Sequence, residues 1–383
     1  MLAALYPTVY SPNKGVGDVR NWDRAGNLAN LRAGIAAVRA GTGICKIDCY
    51  GDSATFAALS AGVNTRSQGY PARLAANLVR RGLFAANQDD FGGLGASATL
   101  ADYTAAEARG AFGPGWAVTG QGSLGGKFPN ASISATGAQT WTPTEPFNEI
   151  EIEYFRNSAN GKINVDIGGA VLATVNCAGS AAIQRAIVST GGATATGLVN
   201  LKNDGTVGTI FPFYVRTRNT ALKAVEVSNF GWSASKSGDW ASTALSPYDP
   251  QSRIAFRAPH CGILCLAIND ANAGTSLATF IANTQALITK IKATGDCILV
   301  TPMQSNPATF ASLVQQQTYV DALYALADSN NVPLFDLTKH WGTYAQLVTQ
   351  DGNAAGIYGD DRHPGINGSN IWGDWIASYI ARL

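Results

Sequence analysis

The sequence predicts a doubly wound α/β domain that is interrupted by an antiparallel β-sandwich. In the first and last parts of the chain, short apolar segments alternate with helical patterns, as expected for strands buried on both faces of a parallel sheet. The middle of the chain alternates apolar and polar residues, which is typical of half-exposed antiparallel strands. Two structural units also agree with a length of 383 residues.

The predicted parallel strands are short and mostly apolar, and they cover residues 44–50, 261–268, 297–301 and 332–336. Helical spacing of apolar residues predicts a helix after each of them. The helical patterns comprise Leu74, Leu78 and Val79, ending at Gly82; Phe280, Ile281, Thr284, Leu287, Ile288 and Ile291, ending near Gly295; Phe310, Leu313, Val314, Leu323 and Tyr324; and Ile371, Trp375, Ile376 and Tyr379. One further pattern, Leu28, Leu31, Ile35 and Val38, precedes the first strand.

The predicted sandwich is defined by period-two alternation and by turn signals. Ile150, Ile152 and Tyr154 alternate with glutamates, and residues 163–167 repeat the pattern. Asn160-Gly161 is a strong turn signal, so a jelly-roll-like sandwich is expected. We therefore divide the chain into an N-terminal extension, an α/β domain in two parts and an insert, with bounds 1–40, 41–112 with 236–383, and 113–235.

Composition excludes several classes of function. Charged residues make up 14% of the chain and the net charge is +1, which is too little to hold nucleic acid or a membrane surface by electrostatics. No apolar segment approaches the ~20 residues of a spanning helix.

The six cysteines lack the paired spacing of zinc sites, so we expect buried free thiols, no metal and no cofactor. They are Cys45, Cys49, Cys177, Cys261, Cys265 and Cys297.

A candidate nucleophile lies where the first predicted strand ends. The segment 50–53 is Tyr-Gly-Asp-Ser, so Ser53 stands between a strand and a helix, at the edge of the sheet where doubly wound folds bind ligands. The Gly-Asp-Ser tripeptide at 51–53 alone is equally consistent with Ser53 acting only as a helix cap.

The choice of base is narrow, because the chain has three histidines. His260 precedes a strand and is expected at the opposite edge of the sheet, whereas His340 has no carboxylate at an interpretable spacing. His363 follows Asp360 by three residues in one loop, which allows the carboxylate to reach its Nδ1 and fix the tautomer. Asp361 is the alternative orienting acid.

Three segments together resemble a known family. The sequences YGDS at 50–53, AIND at 267–270 and DDRH at 360–363 are similar, in order and spacing, to the blocks of the SGNH (GDSL-type) hydrolases. The resemblance covers the α/β parts of the chain and implies a flavodoxin-like, three-layer domain with a parallel sheet.

The resemblance also implies a role for each site residue. Ser53 is the nucleophile, His363 the base and Asp360 its partner, while the Ser53 backbone N–H and the Asn269 side chain donate to the oxyanion. A third donor is expected from Gly95, with Gly93 as the alternative. Asn269 alone would also fit an ordinary turn. Asp52 and Asp361 are expected to accept backbone N–H groups, and Ala267 stands where the family usually has glycine, which bears on the width of the site.

An inserted sandwich is similar to that of SGNH polysaccharide O-acetylesterases, including phage tailspike esterases. This implies an esterase that acts on an acylated polysaccharide. It also implies an extracellular or virion-associated protein that can form a homo-oligomer, and we expect no signal peptide in this sequence. Aromatic residues of the insert could bind sugars, but most are expected in its core; they are Trp116, Trp141, Phe147, Tyr154, Phe155 and Trp232. The alternatives are a lipase or thioesterase of the same family, and a glycan-binding adhesion protein with an inactive esterase domain.

Overall fold

The computed structural model describes residues 18–60, 63–86, 90–91 and 99–383. The strands are β1 Val19–Arg20, β2 Cys45–Gly51, β3 Ala58–Ser60, β4 Val63–Asn64, β5 Ala85–Ala86, β6 Asp90–Phe91, β7 Gly110–Phe112, β8 Trp116–Ser123, β9 Gly126–Ala131, β10 Gln139–Trp141, β11 Glu149–Arg156, β12 Lys162–Ile167, β13 Ala170–Asn176, β14 Ala182–Ser189, β15 Val199–Asn203, β16 Pro212–Arg218, β17 Val225–Gly231, β18 Cys261–Cys265, β19 Asp296–Val300 and β20 Leu334–Phe335. The α-helices are α1 Ala29–Arg39, α2 Ser53–Phe56, α3 Tyr70–Arg80, α4 Leu100–Ala106, α5 Ser237–Ala241, α6 Pro250–Arg257, α7 Ile268–Ala273, α8 Leu277–Lys292, α9 Leu313–Asn330, α10 Leu337–Trp341 and α11 Ile366–Ile380.

The main sheet has the order β1-β20-β19-β18-β2-β17-β5 and contains all four predicted parallel strands. Neighbouring strands are parallel, except that the edge strand β1 runs antiparallel to β20. Every residue of β18 is buried, which explains why its sequence is continuously apolar. The predicted doubly wound sheet is confirmed.

Helices cover both faces of this sheet, as the three-layer prediction requires. On β2, Ile47 belongs to a core with Leu31 of α1 and Leu74 of α3. Tyr50 of the same strand belongs to the opposite core, which includes Leu287 of α8. Side chains of successive strand residues point to opposite faces, so one strand supplies both cores.

The predicted sandwich is present as two antiparallel sheets with the orders β13-β12-β15-β10-β7 and β14-β11-β16-β6. Ile150 and Ile152 of the second sheet share a hydrophobic core with Ile163 and Val165 of the first. The period-two pattern therefore identified the inward-facing residues of both sheets correctly.

The predicted boundaries of the insert are wrong in three places. Strand β17 pairs in parallel with β2 along its whole length, so the main sheet resumes well before residue 235. Strands β6 and β7, which precede residue 113, pair with sandwich strands instead. Strand β1 and helix α1, placed in a separate extension, pack in the α/β domain. The boundary at residue 235 was misplaced because Glu226 and Ser228 alternate with Val225 and Val227, and this alternation is also the pattern of a half-exposed strand.

The polar face of β11 is also buried, although alternation predicted an exposed one. Glu151 is 3% exposed and Glu153 is 0% exposed. This face packs toward the α/β domain, where Glu153 lies 2.7 Å from the Arg257 guanidinium and 2.9 Å from that of Arg253. Arg257 also binds Asp48 of β2 at 2.7 Å. A layer of paired charges therefore lies between the two units, beside an apolar core that Phe128 and Phe213 of the insert share with Ile254 of the α/β domain.

The aromatic residues of the insert lie mainly in cores, as expected. Trp116, Trp141, Phe147 and Tyr154 are buried, whereas Phe155 and Trp232 are partly buried. All six cysteines are buried with free thiols, and Cys45 and Cys261 begin strands β2 and β18. In the described part of the chain, no helix is long and apolar enough to cross a membrane.

Candidate active site

Ser53 begins α2 directly after β2, at the carboxyl edge of the main sheet. Asp52 caps this short helix by accepting the backbone N–H of Ala54 at 3.0 Å, as predicted. Burial raises the pKa of Asp52 to about 7, and the N–H of Ala54 opposes that rise. Gly51 is required here because a Cβ would lie 2.2 Å from Thr55 Oγ1 and 2.4 Å from the Cys265 carbonyl oxygen. The chain therefore turns sharply and places Ser53 at the sheet edge.

The structure brings His363 and Asp360 to Ser53, across 310 residues of sequence. His363 Nε2 lies 2.9 Å from Ser53 Oγ, and His363 Nδ1 lies 2.8 Å from Asp360 Oδ2. Asp360 Oδ1 accepts the backbone N–H groups of Arg362 and His363, each at 2.9 Å. One carboxylate therefore holds both the imidazole and the loop that carries it, and the three side chains lie together at the carboxyl edge of the sheet.

The electrostatic environment favours a neutral imidazole beside a charged carboxylate. Burial lowers the pKa of His363 below its usual value, and the hydrogen bond to Asp360 opposes that effect. Burial acts to raise the pKa of Asp360, but the hydrogen bonds from His363 and the backbone N–H groups outweigh it and lower the pKa. At neutral pH His363 can thus accept a proton from Ser53 while Asp360 remains ionised.

Asp361 does not contact His363. Its carboxylate accepts the Tyr344 hydroxyl and the Thr309 hydroxyl, each at 2.8 Å. Asn306 also donates to it through its side chain, so the expectation that Asp361 accepts backbone N–H groups is wrong, because its donors are side chains. Asp360 is therefore the histidine's partner, and Asp361 ties the same loop to two neighbouring segments.

Asn269 lies on α7, which follows β18 at the same edge of the sheet. Cys265 of β18 pairs with Gly51 of the parallel strand β2. The helices that carry Asn269 and Ser53 therefore follow adjacent strands at the same edge of the sheet. Asn269 Nδ2 donates to the Ser235 carbonyl oxygen at 3.0 Å, which leaves its second amide hydrogen for another acceptor. The other predicted oxyanion donors, Gly95 and its alternative Gly93, lie outside the described residues.

Ala267, where the family usually has glycine, has a φ of +127°. Residues with a Cβ rarely adopt this backbone conformation, and holding one there costs about 1 to 3 kcal/mol of conformational free energy. Ala267 is 1% exposed, so its surroundings are packed. The turn into α7 therefore keeps a glycine-like shape although an alanine occupies it.

The other two histidines lie away from Ser53. His260 is at the opposite edge of the sheet, as predicted, and its Nδ1 accepts the backbone N–H of Lys46 at 3.0 Å. His340 Nδ1 lies 2.9 Å from Asp18 Oδ2, and its ring stacks on Trp375 with centroids 3.9 Å apart. The carboxylate that sequence spacing did not reveal for His340 is thus 322 residues away in the chain.

One segment of the site, the loop that follows β17, was not predicted from the sequence. The Trp232 backbone N–H donates to the Gly51 carbonyl oxygen at 2.8 Å, and the same loop supplies the Ser235 carbonyl that binds Asn269. Gly231 permits this approach, because a Cβ there would lie 2.0 Å from the Phe56 nitrogen. A usable signal was present, since both β2 and β17 end in an aromatic residue followed by glycine.

Residues 192–371 match the model of the GDSL-like lipase/acylhydrolase family. This range includes Asn269, Asp360 and His363 but not Ser53, which precedes the sandwich in the chain. No curated protein matches the chain.

Among solved structures, the chain is similar to a peptidoglycan O-acetylesterase, with a TM-score of 0.69 and 14% identity over 94% of this chain and 97% of that chain. It also matches a family two carbohydrate esterase from Clostridium thermocellum in complex with cellohexaose, with a TM-score of 0.30 and 12% identity over 67% of this chain and 94% of that chain. An acetylxylan esterase from Geobacillus stearothermophilus matches with a TM-score of 0.32 and 18% identity over 42% of this chain and 73% of that chain. The first similarity shows a shared fold that extends over both the α/β domain and the sandwich.

Proposed function

We propose that this chain, which has the SGNH hydrolase fold, is a serine esterase that removes O-acetyl groups from a polysaccharide. The observation that carries the proposal is the hydrogen-bonded series from Asp360 through His363 to Ser53. A nucleophile, a base and an orienting acid in this order are the groups that acyl transfer without a metal requires. The family match supports a carboxylic ester hydrolase independently of that geometry.

In the proposed reaction, Ser53 Oγ attacks the ester carbonyl carbon while His363 Nε2 takes the hydroxyl proton. Asp360 keeps the other imidazole nitrogen protonated and stabilises the imidazolium that forms. Collapse of the tetrahedral intermediate breaks the bond to the sugar oxygen, which leaves with the proton from His363. Water then attacks the acetyl-serine with His363 again as the base. The bond between the acetyl carbon and Ser53 Oγ breaks, His363 returns the proton to Ser53, and acetate is released.

The negative charge of each tetrahedral intermediate requires donors close to Ser53. The proposed donors are the Ser53 backbone N–H, the free amide hydrogen of Asn269 and the backbone N–H of Gly95. Backbone donors at the start of α2 suit this task because their orientation is fixed before the reaction. Asn269 is supported by its place on α7, because α7 follows β18, and β18 is the neighbour of the strand β2 that precedes Ser53.

A polysaccharide substrate is supported by the two-part architecture. The solved structure of a peptidoglycan O-acetylesterase shares the fold over nearly the whole chain, including the sandwich. Partly buried aromatic residues such as Trp232, which directly follows β17, lie beside the nucleophile's strand and could contact a sugar.

The proposal is tested by incubating the protein with a panel of O-acetylated polysaccharides and measuring released acetate, with Ser53→Ala as the control. We expect acetate from at least one member of the panel with the wild-type protein and none with Ser53→Ala. A preference for long-chain over short-chain p-nitrophenyl esters would instead indicate a lipase or thioesterase. Glycan binding without acetate release by the wild-type protein would indicate an adhesion protein.

A further inference from the structure

We propose that Asp270 is a positioning residue that holds the oxyanion donor Asn269 in place through the loop following β17. This inference rests on the proposed function, because it requires Asn269 to act in the reaction. The loop covers residues 232–236 after β17 and is taken together with Ser237, the first residue of α5.

The loop contacts both halves of the site. At its start, the Trp232 backbone N–H donates to Gly51, two residues before Ser53, at 2.8 Å. Three residues later, the Ser235 carbonyl accepts one hydrogen of the Asn269 amide at 3.0 Å. The loop therefore sets the position of the amide relative to the nucleophile's strand, and its carbonyl selects which hydrogen remains for the oxyanion.

Asp270 fastens α7 to this loop. Its carboxylate accepts the Ser237 backbone N–H at 2.9 Å and the Ser237 hydroxyl at 2.7 Å. The Ser237 oxygen in turn accepts Asn283 Nδ2 of α8 at 3.1 Å. Asp270 and Ser237 are both 0% exposed, so water cannot replace these hydrogen bonds.

Helix α7 needs such a fastening. It has six residues, which is too short for a helix to be stable by itself. It also begins at Ala267, whose φ of +127° persists only if surrounding contacts enforce it. Because Asn269 and Asp270 are adjacent, weakening the Asp270–Ser237 contact displaces the amide. A displacement of about 1 Å in a catalytic group can lower a rate by about 10²-fold.

The chain offers a matched control at the start of α6. Asp249 accepts the backbone N–H of Ser252 at 2.8 Å and its hydroxyl at 2.7 Å, and Asp249 is also 0% exposed. This pair repeats the two hydrogen bonds of Asp270–Ser237, although Ser252 is only partly buried, and it holds no residue of the proposed site. Comparing the two pairs separates a general loss of stability from a specific loss of catalysis.

The experiment measures kcat, KM and thermal unfolding for Asp270→Asn and Asp249→Asn, with p-nitrophenyl acetate as substrate. Asparagine keeps the size of the side chain but offers one acceptor oxygen in place of two, so one Ser237 donor loses its partner. We expect Asp270→Asn to lower kcat about 10- to 100-fold with KM within about twofold. Asp249→Asn should lower the unfolding temperature by less, because Ser252 is only partly buried, and leave kcat unchanged. Where Asp270→Asn does not fold, Ser237→Ala is compared with Ser252→Ala. Ser237→Ala removes the hydroxyl's hydrogen bonds with Asp270 and Asn283, and Ser252→Ala removes the one with Asp249.

A double-mutant cycle then tests whether Asp270 acts through Asn269. In the Asn269→Ala background, Asp270→Asn should change kcat by less than about twofold. Equal kcat for Asp270→Asn and Asp249→Asn, or full additivity with Asn269→Ala, would overturn the inference. Activity retained by Ser53→Ala would instead overturn the proposed function, so the two failures are distinguishable.

Discussion

Replacing Glu153 by glutamine should lower the free energy of unfolding by about 3 to 5 kcal/mol at pH 7. Glu153 is 0% exposed and lies within 3.2 Å of three guanidinium groups, at 2.7 Å from Arg257, 2.9 Å from Arg253 and 3.2 Å from Arg185. Glutamine keeps the volume but removes the charge. Arg253 is then most affected, because it is 0% exposed and Glu153 is its ion-pair partner.

The magnitude follows from the state of the carboxylate. Burial acts to raise the pKa of Glu153, but Arg257 and Arg253 outweigh it and lower the pKa from 4.5 to about 2. That difference corresponds to about 3 kcal/mol in favour of the charged form in the folded protein. Since the folded pKa is the lower one, this contribution is fully present above about pH 4.5 and is lost as the pH falls toward 2.

The assay is equilibrium unfolding by urea at a series of pH values, with Asp374→Asn as a control. Asp374 pairs with Arg81 at 2.7 Å, but the two side chains are 48% and 35% exposed, so we expect a loss below about 1 kcal/mol. The difference in free energy of unfolding between the wild type and Glu153→Gln should become smaller as the pH falls below about 4.5. A deficit at pH 7 no larger than that of Asp374→Asn would refute the reasoning that the buried charge layer depends on Glu153.

Three further predictions concern the site and its turn. Asn269→Ala should lower kcat on an acetyl ester about 10²- to 10³-fold with little change in KM, and an unchanged kcat would leave Asn269 only a turn residue. Because the pKa of His363 is lowered, the acid limb of the pH profile of kcat/KM should have its midpoint below pH 6.5, and a midpoint above that value would contradict the neutral base. Ala267→Gly should be at least as stable as the wild type in thermal unfolding, since it relieves the strain at φ +127°. In contrast, Ala322→Gly within α9 should lower the free energy of unfolding by about 1 kcal/mol. An equal decrease for Ala267→Gly and Ala322→Gly would show that Ala267 is unstrained.

The sequence by itself determined the parts of the fold and site that depend on local patterns. Mostly apolar segments identified four of the parallel strands, β2, β18, β19 and β20, as expected for strands buried on both faces. The parallel strand β17 was not identified, because Glu226 and Ser228 interrupt its apolar pattern. Ser53 was recognisable because a strand, a turn and a helix meet there within a few residues. Asp360 and His363 were recognisable because they occupy one loop, three residues apart.

Only the tertiary structure decided which polar residues are buried and which strands are neighbours. The glutamates of β11 and β17 alternate with apolar residues just as they would on an exposed face. Their arginine partners, such as Arg257, can lie 104 residues away, as in its contact with Glu153. The contact between Ser237 and Asp270 likewise joins segments 33 residues apart. Alternation reports which side chains share a face of a strand, but what packs against that face depends on long-range contacts. For that reason the charge layer between the two units, and the loop that holds Asn269, could be found only once the chain was folded.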